Sequence, residues 1–224
     1  WMGSHYGLNA FFYSSQKMAK ESYEYRQKRV DLIASNYELL PQKYGSYLDD
    51  AASMARRAGL LDKSEELFNK AYDFYVDNVT NNVKYRFPLI NEKALLYFQL
   101  NKKELLKNEL AKLDEIYDGI ENVDYTEQFT YNIGNLYLKF DQLNVTELQG
   151  EFDKLVSTTP EKESKKRAFI LNIGLLEARI KMQGKDLVKA QEILNRLNKK
   201  LEEHPNDYFE YKLIVKNLED ELIQ

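Results

Sequence analysis

The stretch Asn132–Leu136 reads NIGNL, and forty positions later Asn172–Leu176 reads NIGLL. Stepping back from Gly134 at intervals of 40 to 45 residues leads to other small residues, each inside an apolar segment with helical spacing. These positions are Gly7, Ala52, Ala94, Gly134 and Gly174. Self-similarity at a nearly fixed interval is the sequence signature of repeat architectures. The sequence therefore predicts five structural repeats, each marked by one small residue.

A second helical pattern follows each marked segment after a short break. Its apolar or small residues recur at positions i, i+4 and i+7, which places them on one face of a helix. They are Ala19 and Tyr23, then Ser64, Phe68 and Ala71, then Leu106, Leu110 and Leu113, then Leu148, Phe152 and Leu155, then Ala190, Leu194 and Leu197. We expect the small residue of the first helix to let the second helix approach closely. Gly134 and Gly174 are then expected to make the same contact in successive layers.

Turn-forming residues separate the two helices of each predicted pair: Ser14-Ser15, Gly59, Asn101, Asp141-Gln142 and Gly184. Prolines, which interrupt helices, are expected in four connections between pairs: Pro41, Pro88, Pro160 and Pro205. We predict an all-α fold, an α-solenoid of about five antiparallel helix hairpins with a C-terminal capping helix. The predicted single domain covers 1–224, with repeats at 1–40, 44–80, 86–120, 126–158 and 164–204 and the capping helix at 207–223.

The composition excludes several classes of function. A formal charge of −4 and a pI near 5.5 argue against nucleic-acid binding, which needs a basic surface. The sequence contains no run of about 18 apolar residues, so it predicts no membrane span. The chain has no cysteine, which excludes disulfides and thiolate metal sites. The compartment stays open, with a cytoplasmic location favoured over export.

The repeats resemble the tetratricopeptide repeat (TPR), in which W-x2-L-G-x2-Y is followed by A-x3-F and a terminal proline. The fullest match runs from Tyr47 to Ala71, with Ala51-Ala52 at the L-G positions and Gly59 at the turn. The intervals exceed the 34 residues of that family, so its helices or connections are longer here. The resemblance implies a noncatalytic protein that binds a peptide or protein segment in a concave groove lined by the first helix of each hairpin.

The groove residues implied by the resemblance are Arg57, Asn91, Phe98, Tyr131, Asn132, Asn135, Lys139, Asn172 and Arg179. Asn132 and Asn172 both stand two residues before a glycine, so stacked repeats would place one amide above the other. Such a ladder suits holding the backbone of an extended peptide, because each amide is both donor and acceptor. The alternative is that these amides bond to neighbouring helices or to water.

Arg57, Lys139 and Arg179 share one repeat position and form a basic row that could receive an acidic partner segment. The alternative is a solvated mixed-charge face, since Asp49, Asp50 and Glu92 are expected on the same side. Chaperone-binding members of the family hold a terminal carboxylate with a Lys/Asn/Arg clamp. Asp49, Ser53 and Glu92 stand where clamp residues are needed, so a chaperone tail is not the expected partner.

Nothing in the sequence points to catalysis, a cofactor or a metal. The two histidines, His5 and His204, have no second ligand at metal spacing, and no Gly-rich phosphate loop is present. The expected function is an interaction scaffold whose partner is a protein or peptide of unknown identity. Two alternatives are a peptide-sensing domain of a larger regulator and a structural subunit of a multiprotein assembly. The last predicts an exposed apolar patch, for which the capping helix is the place to look, although its alternation of apolar and charged residues favours a cap with a polar outer face.

Overall fold

A computed structural model describes residues 2–79, 83–117 and 125–223, and throughout these residues the chain is helical with no strand. The all-α prediction is confirmed. The α-helices of the described residues are α1 Met2–Ser15, α2 Ala19–Ala34, α3 Pro41–Arg57, α4 Leu61–Asn78, α5 Val83–Gln99, α6 Lys103–Tyr117, α7 Tyr125–Leu138, α8 Val145–Ser157, α9 Glu161–Ser164, α10 Arg167–Gln183, α11 Leu187–Glu202 and α12 Phe209–Ile223. Neighbouring helices pack in pairs, and the arrangement of these pairs as a continuous solenoid stays a prediction.

Four of the five predicted turns between paired helices fall between two helices of the structure, whereas Ser14 and Ser15 are the last two residues of α1 and the turn follows them. Two of them use left-handed backbone at the expected residue, with φ of 78° at Gly59 and 58° at Asn101. These are residue types that adopt this conformation at low cost. In the last pair the left-handed residue is Lys185 (φ 58°), and Gly184 has ordinary helical φ. The division into five repeats stays a prediction, and its limits at 80 and 120 lie outside the described residues.

Pro88 lies inside α5 and does not interrupt it, which corrects the prediction that it separates two hairpins. Proline cannot donate a hydrogen bond to the carbonyl four residues earlier, which here belongs to Lys84. Because the loss falls near the start of the helix, the remaining turns up to Gln99 stay intact. Pro41 and Pro160 follow the expected rule, since Pro41 begins α3 and Pro160 immediately precedes α9.

The chain divides into two compact units. Unit 1 comprises Trp1–Lys93 and His204–Glu210, and unit 2 comprises Ala94–Glu203 and Tyr211–Gln224. The chain crosses between the units three times, within α5, just after α11 and within α12. That residues 1–224 form a single domain stays a prediction.

In unit 1 the hairpins α1–α2 and α3–α4 each contain an equivalent buried hydrogen bond, which links the two helices of that hairpin. The Ser22 hydroxyl donates to the Ala10 carbonyl at 2.8 Å, and the Ser64 hydroxyl donates to the Ala52 carbonyl at 2.9 Å. Both pairs are twelve residues apart, and all four residues are buried. Ser22 is therefore the equivalent of Ser64, and Ala10 is the equivalent of Ala52.

This equivalence corrects the register of the first repeat, which the sequence placed at Gly7, Ala19 and Tyr23. A Cβ atom on Gly7 would lie 3.5 Å from Arg29 Cζ, an ordinary contact, so this position does not require a glycine. With Ala10 as the marker, the intervals become 42, 42, 40 and 40 residues, which is more regular than the series beginning at Gly7. In the sequence, Gly7 is more conspicuous than Ala10. The Ser22 hydroxyl identifies the correct register through its hydrogen bond to Ala10.

In unit 2 the two glycines of NIGNL and NIGLL make different contacts. The nearest side chains to Gly134 are Leu110 and Leu106 of α6, at 3.0 to 3.3 Å from an added Cβ. The nearest to Gly174 is Leu197 of α11, the second helix of its own pair, at 2.5 Å. The prediction that both glycines make the same contact is therefore wrong, although both lie at tight helix contacts.

Other predicted repeat residues are buried in the structure. Ala52 and Phe68 belong to the core of unit 1, and Ala94, Phe152 and Ala190 are buried in unit 2. The C-terminal helix α12 begins two residues later than predicted. Its residues in unit 2 bury one apolar face, and Asn198 of α11 donates a hydrogen bond to Glu219 at 2.7 Å. None of the helices in the described ranges combines the length and apolar character that crossing a membrane requires.

Candidate functional site

The nine predicted groove residues divide into a buried group and an accessible group. Arg57 and Asn91 belong to unit 1, and the other seven belong to unit 2. The buried group consists of Asn91, Phe98, Asn172 and Arg179. The accessible or partly accessible group consists of Arg57, Tyr131, Asn132, Asn135 and Lys139.

Three predicted groove residues of unit 2 are buried and do not face solvent: Phe98, Asn172 and Arg179. Arg179 donates hydrogen bonds to the carbonyls of Phe98 at 2.9 Å and Gln99 at 3.0 Å, at the end of α5. The Asn172 side-chain oxygen accepts a hydrogen bond from Gln99 Nε2 at 3.3 Å. The expectation that these three line an open groove is therefore corrected, because their polar atoms bond to the end of α5.

Asn91 is likewise buried in unit 1, where its side-chain nitrogen donates to the Phe87 carbonyl at 3.4 Å. Asn132 is exposed while Asn172 is buried, so the two amides do not form a solvent-facing ladder. The basic row is also divided. Arg179 bonds to backbone carbonyls, whereas Lys139 forms an exposed ion pair with Glu151 at 3.2 Å.

Three of the four accessible predicted residues of unit 2 come together in a cleft between α7 and α8. The cleft has a volume of 240 Å³ and continues into a second depression of 390 Å³ that shares Lys139 and Glu151. Residues from both helices line it: Asn132, Asn135, Leu136, Lys139, Glu151, Lys154, Leu155 and Thr158. Three of the nine predicted groove residues, Asn132, Asn135 and Lys139, are among them. Lys154, in α8, and Thr158, directly after it, were not predicted, because the resemblance assigns the groove to the first helix of each hairpin.

The cleft has an apolar floor and a polar rim. Leu136 and Leu155 are buried, so only a small part of each side chain reaches the floor. Asn135 donates a hydrogen bond to the Tyr131 carbonyl at 3.1 Å, which fixes its amide and leaves its oxygen available as an acceptor. Within the described residues, the side chain of Asn132 makes no hydrogen bond and Lys154 forms no ion pair. The rim therefore offers amide donors and acceptors together with one uncompensated cation.

Local hydrogen bonds fix both ends of α8, the helix that forms one wall of the cleft. The Asn144 side chain accepts hydrogen bonds from the N–H groups of Thr146 and Glu147, and the Glu147 carboxylate accepts from the Asn144 N–H. This reciprocal arrangement is a capping box, which fixes the start of α8. At the other end, the Thr158 hydroxyl donates to the carbonyls of Lys154 and Leu155. Both ends of the helix that forms one wall are thus fixed.

Two accessible predicted residues lie outside the cleft, Tyr131 and Arg57. The Tyr131 hydroxyl donates a hydrogen bond to the Asp114 carboxylate. Arg57 interacts with a distant part of the chain that belongs to the same unit. Its guanidinium donates to both carboxylate oxygens of Asp207, from Nε at 3.2 Å and from Nη2 at 2.5 Å. Asp207 is 0% exposed, so the ion pair shields the acid completely from solvent. These hydrogen bonds raise the pKa of Arg57 despite its partial burial, which acts in the opposite direction.

Two carboxyl groups of unit 1, those of Glu210 and Asp49, have strongly raised pKa values. Burial raises the pKa of Glu210 to about 7, against the opposing effect of Arg56 and Arg57. Burial also raises the pKa of Asp49 to about 7, and the nearby Glu92 and Asp50 carboxylates act in the same direction. Glu210 is 1% exposed. Both acids therefore change their charge near neutral pH.

This burial predicts how the stability of the protein depends on pH. Because the pKa of Glu210 is higher in the folded chain than in the unfolded chain, the folded form binds a proton more tightly, and its stabilisation is fully present below about pH 4.5. We expect the free energy of unfolding to fall by roughly 1–3 kcal/mol as pH rises from about 5 to about 8, with Asp49 contributing in the same direction. Replacing Glu210→Gln should flatten this slope and make the protein more stable than the wild type at about pH 8.

Urea unfolding followed by circular dichroism at several pH values measures this slope. Glu202→Gln, which removes an exposed carboxylate from α11, is the matched control and should leave the slope unchanged. Equal slopes for the wild type and Glu210→Gln would show that Glu210 is not the titrating group.

An exposed apolar surface lies on α1. This surface is not among the sites predicted from the sequence. Leu8, Phe11 and Phe12 are more than half exposed, and α1 contains no Asp, Glu, Lys or Arg. The sequence signal was available, because a charge-free helix is unusual in a chain with 30% charged residues. The structural-subunit alternative predicted such a patch at the capping helix, where Leu213 and Ile223 are exposed.

Metal coordination and known relatives give no further assignment. In the three described ranges, no group of three or more His, Cys, Asp or Glu side chains is placed to hold a metal ion. His5 is exposed on α1, and His204 lies with its ring 6.1 Å from that of Tyr208. Comparison with protein-family models, curated proteins and solved structures finds no match for this chain.

Proposed function

We propose that this chain is a noncatalytic, TPR-like helical repeat domain that binds a segment of another protein. The observation that carries the proposal is the α7–α8 cleft, with its apolar floor, its two amides and its lysine without an ion-pair partner in the described residues. An extended peptide needs hydrogen-bonding partners for its backbone and a pocket for a side chain, and the cleft offers both.

The chemistry of the cleft also suggests which peptides bind. Lys139 is paired with Glu151, which leaves Lys154 as the cation available to a ligand. Leu136 and Leu155 offer a contact for an apolar side chain. The preferred ligand is therefore an extended segment with an apolar residue close to an Asp or Glu.

Selection from a library of displayed linear peptides, followed by fluorescence anisotropy with the enriched peptides, tests this proposal. We expect Asn132→Ala to weaken binding by about fivefold, because one hydrogen bond contributes about 1 kcal/mol. Lys154→Ala should weaken the acidic peptides by about two- to fivefold, which is the usual contribution of an exposed ion pair.

Asn195→Ala and Lys107→Ala remove the same residue types from exposed positions on α11 and α6 and should leave the affinity unchanged. Circular dichroism verifies that each variant is folded. Failure to enrich any peptide, or equal affinity for the cleft variants and the controls, would contradict the proposal.

A second candidate is association through the exposed face of α1. A contiguous apolar patch without charge marks an interaction surface in many proteins, and Leu8, Phe11 and Phe12 provide one. Under this alternative the chain is a structural subunit rather than a peptide receptor. Sedimentation velocity at increasing concentration distinguishes the two, because only association through α1 depends on the protein alone.

A further inference from the structure

The segment His204–Glu210 occupies a surface of unit 1 far from it in sequence. The chain leaves unit 1 after Lys93, forms Ala94–Glu203 as part of unit 2, and returns to unit 1 for these seven residues. Its sequence is HPNDYFE, and it joins the end of α11 to the start of α12. Within the segment the backbone turns at Pro205 and Asn206, bends at Asp207 and enters α12 at Phe209.

Backbone and charge contacts hold the first part of this segment. The N–H of Ala19, the first residue of α2, donates to the Asn206 carbonyl at 3.0 Å. An N–H at a helix start has no partner within its helix, so it is available to a ligand. Arg57 then binds both oxygens of the Asp207 carboxylate, a fork-like geometry that is selective for carboxylates.

An aromatic contact holds the second part. Phe209 packs against a cluster of Ala19, Met54 and Ala58, and the Lys20 ammonium lies 4.7 Å from the centre of its ring. Phe209 follows Asp207 by two residues, so the acid and the ring reach separate parts of the surface. We call this surface the Arg57 socket, formed by Ala19, Lys20, Met54, Arg57 and Ala58.

Two features of the segment are unfavourable in this position. Tyr208, between the two anchors, has φ of 56°, a left-handed conformation that non-glycine residues rarely adopt. Glu210 is buried, and its Oε2 atom accepts no hydrogen bond from the residues that the structure describes. A segment from another protein could supply the acid and the ring without the connection to α12 that places Glu210 here.

We propose that His204–Glu210 is an intramolecular ligand that blocks the Arg57 socket, and that the socket binds a segment of a partner protein with an Asp followed two residues later by Phe. The contacts that select this partner are the ones the segment itself makes: the N–H of Ala19, the guanidinium of Arg57 and the apolar cluster around Met54. The partner must displace the segment in order to bind. This inference is independent of the α7–α8 cleft.

A peptide with the sequence HPNDYFE, acetylated, amidated and fluorescently labelled, is the probe. The full chain is compared with its Asp207→Ala, Phe209→Ala double variant, in which the segment has lost both anchors. We expect the double variant to bind the peptide at least tenfold more tightly than the wild type. Addition of Arg57→Gln to the double variant should reverse most of this gain, and a peptide with Asn and Ala at the two anchor positions should not bind.

Asp207→Asn gives a milder version of the test, because it keeps the size of the side chain but removes its charge and one of the two oxygens that Arg57 contacts. It should raise the affinity for the peptide at least threefold over the wild type. If the double variant does not fold, this single variant decides the question. Absence of binding by the folded opened variants, or a gain that Arg57→Gln leaves intact, would overturn the proposal. Peptides selected on the α7–α8 cleft should not compete with this probe, so the two sites are tested separately.

Discussion

Replacing Arg179→Met is expected to lower the free energy of unfolding by about 3 kcal/mol, one of the two largest effects that the structure predicts. The Arg179 side chain is buried, and its two terminal nitrogens donate to the carbonyls of Phe98 and Gln99. Its guanidinium also lies 4.9 Å from the ring centres of both Phe98 and Tyr137. Methionine fills a similar volume but removes both hydrogen bonds, although the Phe98 carbonyl keeps another donor, the Asn101 N–H, and it removes a cation from the negative end of the α5 dipole.

Urea unfolding followed by circular dichroism measures this loss. Arg179→Lys should lie between the wild type and Arg179→Met, because a single ammonium cannot reproduce the forked contact. Arg196→Met removes an exposed arginine paired with Glu177 and should change the free energy by less than about 0.5 kcal/mol. Equal effects at Arg179 and Arg196 would show that the buried hydrogen bonds do not stabilise the fold.

The other large effect concerns Gly45, in the second turn of α3. A Cβ atom at this position would lie 2.6 Å from the Cε1 and Cζ atoms of Tyr75, and the Tyr75 ring stacks on Tyr85 with centres 5.1 Å apart. The ring cannot move away without disturbing that stack. Gly45→Ala is therefore expected to lower the free energy of unfolding by about 1–3 kcal/mol, although alanine is the better helix former.

Gly150→Ala is the matched control for this substitution. Gly150 lies within α8, and an added Cβ would meet no atom within 4 Å. Only the helix propensity changes there, so Gly150→Ala should stabilise the protein by about 0.5–1 kcal/mol. Thermal unfolding of the two variants should give shifts of opposite sign. An increase in Tm for Gly45→Ala would indicate that Tyr75 moves aside at little cost.

The helices and the turns between them were predictable because their signals are local. Gly59 and Asn101 each stand at the left-handed residue of a turn, and the apolar spacing on either side of them is helical. Pro88 misled the prediction because proline is read as a helix breaker, whereas near the start of a helix it removes only one hydrogen bond. The register of the first repeat needed the Ser22 hydroxyl, whose partner Ala10 is identified only by the fold.

The candidate sites were less predictable because they depend on contacts between distant residues. Asn172 looks like a ligand-binding amide in the sequence, yet Gln99, 73 residues away, occupies its oxygen. Asn132 stands at the same position before its glycine and is exposed. Likewise, no local signal links Arg57 to Asp207, which is 150 residues further along the chain. Repeat position identifies which residues are equivalent, but the neighbours of each residue decide whether it is accessible.

The return of His204–Glu210 to unit 1 also constrains how the protein is made. A ribosome synthesises a chain from its N-terminus, and N-terminal regions generally fold first. Here, all of Ala94–Glu203 must be synthesised before the last seven residues of unit 1 emerge. Until then, the newly made α2 and α3 present Ala19, Met54 and Arg57 without the segment that covers them. During synthesis, unit 1 therefore stays incomplete until His204–Glu210 have emerged.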